Sequence, residues 1–75
     1  MSWNAEIVLK SSKVITVTDL TSICWKSQSD GSLVHKTDFK NFVLPAGRIL
    51  TFIGEKTTVS LGSNEIEYLS LHQIN

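Results

Sequence analysis

Apolar and polar residues alternate along most of this chain with a period of two. Ala5–Lys10 (AEIVLK) puts Ile7 and Leu9 on one face, and Val14–Thr18 (VITVT) puts Ile15 and Val17 together. Thr21–Ser27 (TSICWKS) does the same with Ile23 and Trp25. Strand side chains point alternately to the two sides of a sheet, so this pattern predicts half-buried strands. Arg48–Ile53 (RILTFI) is nearly continuous in apolar residues, which predicts a central strand. Thr57–Leu61 (TTVSL) and Glu65–His72 complete the set. No window of a dozen residues carries a clean helical period.

Turn residues fall between these runs. Ser11–Ser12, Asp19–Leu20, Gly54–Lys56 and Gly62–Asn64 each interrupt the alternation. Asp30–Gly31 is the strongest local signal, because Asp-Gly favours a two-residue type I′ turn with φ > 0 at both centres. It predicts a hairpin from Ile23 to about Thr37 in which Ser29 faces Ser32. Trp25 then faces Lys36, Lys26 faces His35, and Cys24 faces Thr37, which makes Cys24 and His35 diagonal neighbours on one face. Asp38–Phe42 (DFKNF) predicts one helical turn capped by Asp38. Leu44–Gly47 (LPAG) predicts a turn with Pro45 at its second position.

The expected fold is all-β. One domain over residues 1–75 would hold six or seven short antiparallel strands, in a meander that closes into a barrel or sandwich. The expected core is Ile7, Leu9, Ile15, Val17, Ile23, Trp25, Val34, Phe42, Leu44, Ile49, Phe52, Val59, Leu61, Ile66, Tyr68 and Leu71. The last strand switches faces part-way. Ile66 and Tyr68 share one side, while Leu69 and Leu71 share the other. Either a β-bulge or a subunit interface covering both faces explains the switch.

Composition sharpens the picture. The chain has 75 residues, with ten serines, seven threonines and only two alanines, Ala5 and Ala46, which disfavours helices. A domain this small buries only roughly 60% of the surface its unfolded chain exposes, so disulfides, a metal or self-association usually add stability. Cys24 is the only cysteine, so no intrachain disulfide can form. Cys24, His35 and His72 are too few, and wrongly spaced, for a structural zinc site, so no metal and no cofactor is expected. Self-association is the compensation that remains. Its expected surface is Trp3, Leu69, Leu71 and Ile74, with Trp3 placed outside the first strand.

No stretch has the length of a membrane span, and the N-terminal residues do not read as a signal peptide. A lone free cysteine fits a reducing compartment, so the expectation is a cytoplasmic protein with no membrane partner. Net charge is zero, which weighs against a dedicated duplex-DNA binder. Local charge is uneven, at +3 over residues 10–48 and −2 over residues 49–75.

Three kinds of chemistry compete. Cys24 and His35 are the minimum for a thiol nucleophile, but they need an orienting group, an oxyanion hole and a cleft. A strand-built domain this small rarely supplies a cleft, and no phosphate-loop, dinucleotide, metalloprotease or serine-hydrolase motif is present, so enzyme activity is not expected. Trp25 with Lys26, Lys36, Lys40 and Arg48 could form a stacking platform with phosphate contacts for single-stranded nucleic acid, or a site for one protein partner. The alternative is that Trp25 simply shields the core. Glu65 and Glu67 read as a shared, solvated face of an edge strand.

Two stretches resemble known families. Leu44–Leu61 (LPAGRILTFIGEKTTVSL) is similar in rhythm to the tryptophan RNA-binding attenuation protein family, which implies small all-β subunits in an RNA-binding ring. The segment between Thr21 and Leu44 is longer than in that family. The C-terminal VSLGSNEIEYLSL resembles the closing hairpin of filamentous-phage single-strand DNA-binding proteins, which implies an OB-like dimer. Neither resemblance assigns a role to any residue here. The leading expectation is a non-enzymatic module that acts by homo-oligomeric assembly or binding. The alternatives are a single-stranded nucleic-acid binder and a small inhibitor or adaptor for one protein.

Overall fold

A computed structural model describes residues 2–74. The predicted alternation becomes seven strands: β1 Ser2–Leu9, β2 Val14–Val17, β3 Leu20–Lys26, β4 Leu33–Lys36, β5 Ile49–Gly54, β6 Thr58–Gly62 and β7 Ile66–Ile74. Short 3-10 turns at Phe39–Asn41 and Ser63–Glu65 are the only helical pieces among the described residues. The strands form two antiparallel sheets, one of three strands in the order β2-β1-β7 and one of four in the order β4-β3-β5-β6. The described residues form no closed barrel. The expected meander is also corrected: β5 lies on the far side of β3 from β4, and the last strand returns to pair with the first.

The two sheets share one core. Ala5, Ile7 and Val17 come from one sheet and Ile23, Leu50 and Phe52 from the other, all fully buried. Burying such a side chain stabilises the fold by about 1.5–3 kcal/mol for Val, Ile, Leu or Phe. Leu20, Phe39 and Ile66 join them. Most of the predicted core packs in or against this cluster. Three members do not: Val34 on β4 is only half-buried and packs outside it, Ile49 is 71% exposed and Tyr68 is 54% exposed. In β5 the inward phase belongs to Leu50 and Phe52, which puts Ile49 on the opposite face. Tyr68 is turned out by a bulge.

That bulge settles the face switch of the last strand. Val8 faces Tyr68 but Leu9 faces Ile66, so Glu67 is the extra residue of β7. Beyond it Leu69 faces Ile7 and Leu71 faces Ala5, which turns both leucines toward the core. One added residue resets the phase of every side chain after it. Glu65 and Glu67 therefore do not share a strand face. Glu65 sits in the 3-10 turn, where its Oε2 accepts a hydrogen bond from the Gly62 amide at 3.3 Å.

The corners where the chain changes sheet are held by specific bonds. At the first, Asp19 has φ of 52°. Its amide donates to Asn4 Oδ1 at 3.2 Å, and its carbonyl accepts from the Glu55 amide at 3.1 Å. Gly54 passes close by: a Cβ there would lie 2.6 Å from the Thr18 carbonyl oxygen and 2.8 Å from Val17 Cγ1. At the second corner the buried Ser63 accepts from the Arg48 amide through Oγ at 3.0 Å, and its own amide donates to the Arg48 carbonyl at 2.7 Å. No buried side-chain nitrogen or oxygen among the described residues lacks a partner.

Trp3 lies inside β1, not before it, because pairing with Gln73 of β7 extends the strand. Its ring meets Phe39 edge-on, at 5.8 Å between centroids. The turn after Phe42 is centred on Ala46–Gly47, with Gly47 at φ of 66°, so Pro45 precedes the centre. The turn at Phe39–Asn41 forms as expected, but Asp38 makes no side-chain cap bond. Its Oδ2 accepts from Asn41 Nδ2 at 3.0 Å instead.

Candidate functional site

The β3–β4 hairpin determines which candidate residues meet, and its turn is not type I′. Ser27 and Ser32 close it, the Ser27 amide donating to the Ser32 carbonyl at 2.7 Å, around a loop of Gln28–Gly31. Only Gly31, at φ of 73°, is left-handed; Asp30 is not. Asp30 acts through its side chain, whose Oδ1 accepts from the Ser32 amide at 2.9 Å and the Ser32 hydroxyl at 2.7 Å. The Ser32 hydroxyl, and then its amide, hold the Asp30 carboxyl below its ordinary value.

This longer loop shifts the register. Trp25 faces Val34, Cys24 faces His35, Lys26 faces Leu33, and Lys36 faces Ile23. The expected Trp25–Lys36 and Lys26–His35 pairs are not formed. Trp25 is half-buried on the inward face of β3 and meets Phe42 edge-on, at 5.9 Å between centroids. It packs against the core and also lines the groove that holds Lys26 and Arg48.

The five residues proposed as a binding cluster divide among three places. Trp25, Lys26 and Arg48 share a groove of about 480 Å³ with Leu33 and Ile49, over Cys24 and Thr51. Arg48 is anchored there, donating to Gln28 Oε1 at 2.7 Å and to the Gly47 carbonyl at 3.1 Å. Lys36 borders a second hollow of about 230 Å³ beside Trp25, Phe42 and Val43. Lys40 borders a third of about 300 Å³, between the loop residues Phe39, Phe42 and Leu44 and the β7 residues Leu69 and Leu71.

The structure brings Cys24 and His35 closer than expected. They are direct cross-strand partners, with Sγ 3.1 Å from Nδ1, and Ser22 Oγ lies 3.7 Å from the sulfur. Cys24 is 4% exposed while His35 is exposed. The pair sits on the open face of a sheet. Among the described residues, no group of three metal-ligating side chains is placed to hold a metal ion. A second contact of this kind went unforeseen: Ser70 Oγ lies 2.8 Å from His72 Nε2 on the exposed face of β7. Two residues apart on one strand share a face, and that spacing was the available signal.

The residues expected at an oligomer interface are now placed. Leu69 and Leu71 line the inward face of β7, and Trp3 packs on Phe39 of its own chain. Ile74, at the end of β7, is 42% exposed. The outer edge of β7 pairs with no strand among the described residues. No helix among the described residues is long and apolar enough to cross a membrane.

No protein-family model, curated protein or solved structure matches this chain. The fold and surfaces define an all-β protein of two antiparallel sheets.

Proposed function

We propose that this protein is a non-enzymatic module, a small β-sandwich that works by self-association and by binding. One observation carries the reading. β7 is nine residues long, lies at a sheet edge, and from Tyr68 to Ile74 (YLSLHQI) holds no Asp, Glu, Lys or Arg. Edge strands offer unpaired backbone donors and acceptors, and monomers protect them by shortness, charge, proline or cover. The remaining edges are short: β2 and β4 have four residues each and β6 has five. Lys13 precedes β2 and Lys36 ends β4. Among the described residues, the second half of β7 has neither shortness, charge nor proline to protect it.

The test is the thermal unfolding midpoint at several protein concentrations. A self-associating native state is stabilised by mass action, so its midpoint rises with concentration. A constant midpoint over a hundredfold range would count against the reading.

The protein-adaptor reading has one observation in its favour. The groove beside Leu33 and Ile49 is apolar, is rimmed by Lys26 and Arg48, and has no acidic residue in its lining. An acidic partner with an apolar side chain suits it. Loss of capture of such a partner in Ile49→Lys would be the corresponding sign. The single-stranded nucleic-acid reading draws less support, since Trp25 packs edge-on against Phe42 and only Lys26 and Arg48 of the four cations share its larger groove.

A further inference from the structure

We infer that two copies of this chain pair through β7, antiparallel across a two-fold axis, into one six-stranded sheet ordered β2-β1-β7-β7-β1-β2. This rests on the self-association reading and specifies its interface and stoichiometry.

Length and charge select the partner edge. A strand added to β7 gains most when it is equally long. Among the described residues the other sheet edges, β2, β4 and β6, have four or five residues against the nine of β7. A second β7 is therefore the best match within the molecule. Antiparallel pairing of β7 with itself also opposes no charged side chains over Tyr68–Ile74. Glu67, the nearest charge, sits at the bulge.

The faces agree as well. A two-fold axis normal to the sheet keeps inward residues inward, so Leu69 and Leu71 of both copies point to the core side. Tyr68, Ser70 and His72 stay on the solvent side. The added strand would lie about 4.8 Å away. The hollow of about 300 Å³ walled by Leu69, Leu71, Phe39, Phe42 and Leu44, with Lys40 at its border, then gains the partner's leucines as cover. The same strand satisfies the open backbone edge and covers the hollow beside it.

Closure follows. Pairing uses the same patch on both copies, so the interface is isologous and stops at two. The edges left free are the short ones. The assembly is a dimer, neither a ring nor a filament.

The experiment is light scattering after size exclusion on three proteins, with circular dichroism to confirm folding. They are the wild type, Tyr68→Lys/His72→Lys, and Ile49→Lys. Tyr68 and His72 are exposed on β7, and Ile49 is exposed on the other sheet. The expected masses are twice the 8.3 kDa chain for wild type and Ile49→Lys, and the single chain for the double variant. A wild-type trimer or larger ring, or a double variant that stays dimeric, would overturn the β7 pairing and leave self-association standing. A wild-type monomer at high micromolar concentration would remove both. Should the double variant fail to fold, hydrogen exchange of wild type replaces it. Outward-pointing β7 amides should lose protection on dilution, and unchanged protection would refute the pairing.

Discussion

Cys24 Sγ lies 3.1 Å from His35 Nδ1, two side chains directly opposed across the β3–β4 hairpin. The contact follows from the loop, since closing the hairpin at Ser27 and Ser32 sets every later pair. The sulfur is nearly enclosed while the imidazole is open to solvent. A thiolate forms and reacts readily only when reagent can reach it. Native Cys24 should therefore be alkylated slowly, with the rate rising by orders of magnitude in denaturant. His35→Ala should speed native labelling by removing the cover. Rapid, stoichiometric labelling of the native wild type would show an open nucleophile and revive a thiol chemistry.

Two glycines should respond differently to alanine. Gly31 is left-handed, at φ of 73°, and an added methyl group there would meet nothing within 4 Å. Gly31→Ala should cost about 1–2 kcal/mol from backbone strain alone, and Gly31→Asn less, because Asn tolerates this conformation. At Gly54 the methyl would meet the Thr18 carbonyl oxygen at 2.6 Å and Val17 Cγ1 at 2.8 Å. Overpacking of this kind costs about 1–3 kcal/mol or more, and it falls on the corner that joins the sheets. Urea titrations should rank Gly54→Ala as the more destabilised. The reverse order would mean that the Val17–Asp19 corner yields easily.

Phe52 is fully buried between the sheets. Phe-to-Ala in a core costs about 3–5 kcal/mol, and a core this small supplies about 3–5 kcal/mol in total. Phe52→Ala should lose its cooperative thermal transition. Ile7→Val, also at a fully buried site, should cost only about 0.5–1.5 kcal/mol. A cooperative transition retained by Phe52→Ala at low micromolar concentration, where the chain is monomeric, would contradict the central place of Phe52 in the core.

Asp30 links the hairpin loop to pH. Hydrogen bonds from the Ser32 hydroxyl and amide lower its folded pKa. A lowered folded pKa contributes stability above the unfolded value, near 3.9, that is lost as pH falls through the folded pKa. The stability difference between wild type and Asp30→Asn should be steady at neutral pH and shrink below about pH 4. A difference that grows in acid would contradict the assigned bonds.

The sequence pattern reveals more of the strands than of their partners. Period-two alternation locates each strand to within a few residues, because burial on one face imposes it locally. The face switch at Ile66–Leu71 is also visible, and the Glu67 bulge is its cause. Register is harder to read. Asp30–Gly31 reads as a two-residue turn, yet the loop is longer, because Asp30 bonds Ser32 through its side chain and does not adopt a left-handed backbone. That one difference moves Lys36 from Trp25 to Ile23 and brings Cys24 onto His35. The inward phase of β5 is ambiguous in RILTFI, so the pattern admits Ile49 to the core where the fold buries Leu50. Which edges stay open depends on the order of strands in space, and no local pattern encodes that order.

Sedimentation equilibrium of the wild-type protein over a wide concentration range separates a β7-paired dimer from a lone chain. Pairing through β7 gives a reversible association whose limiting mass is twice 8.3 kDa. A single ideal species at the chain mass throughout would contradict it.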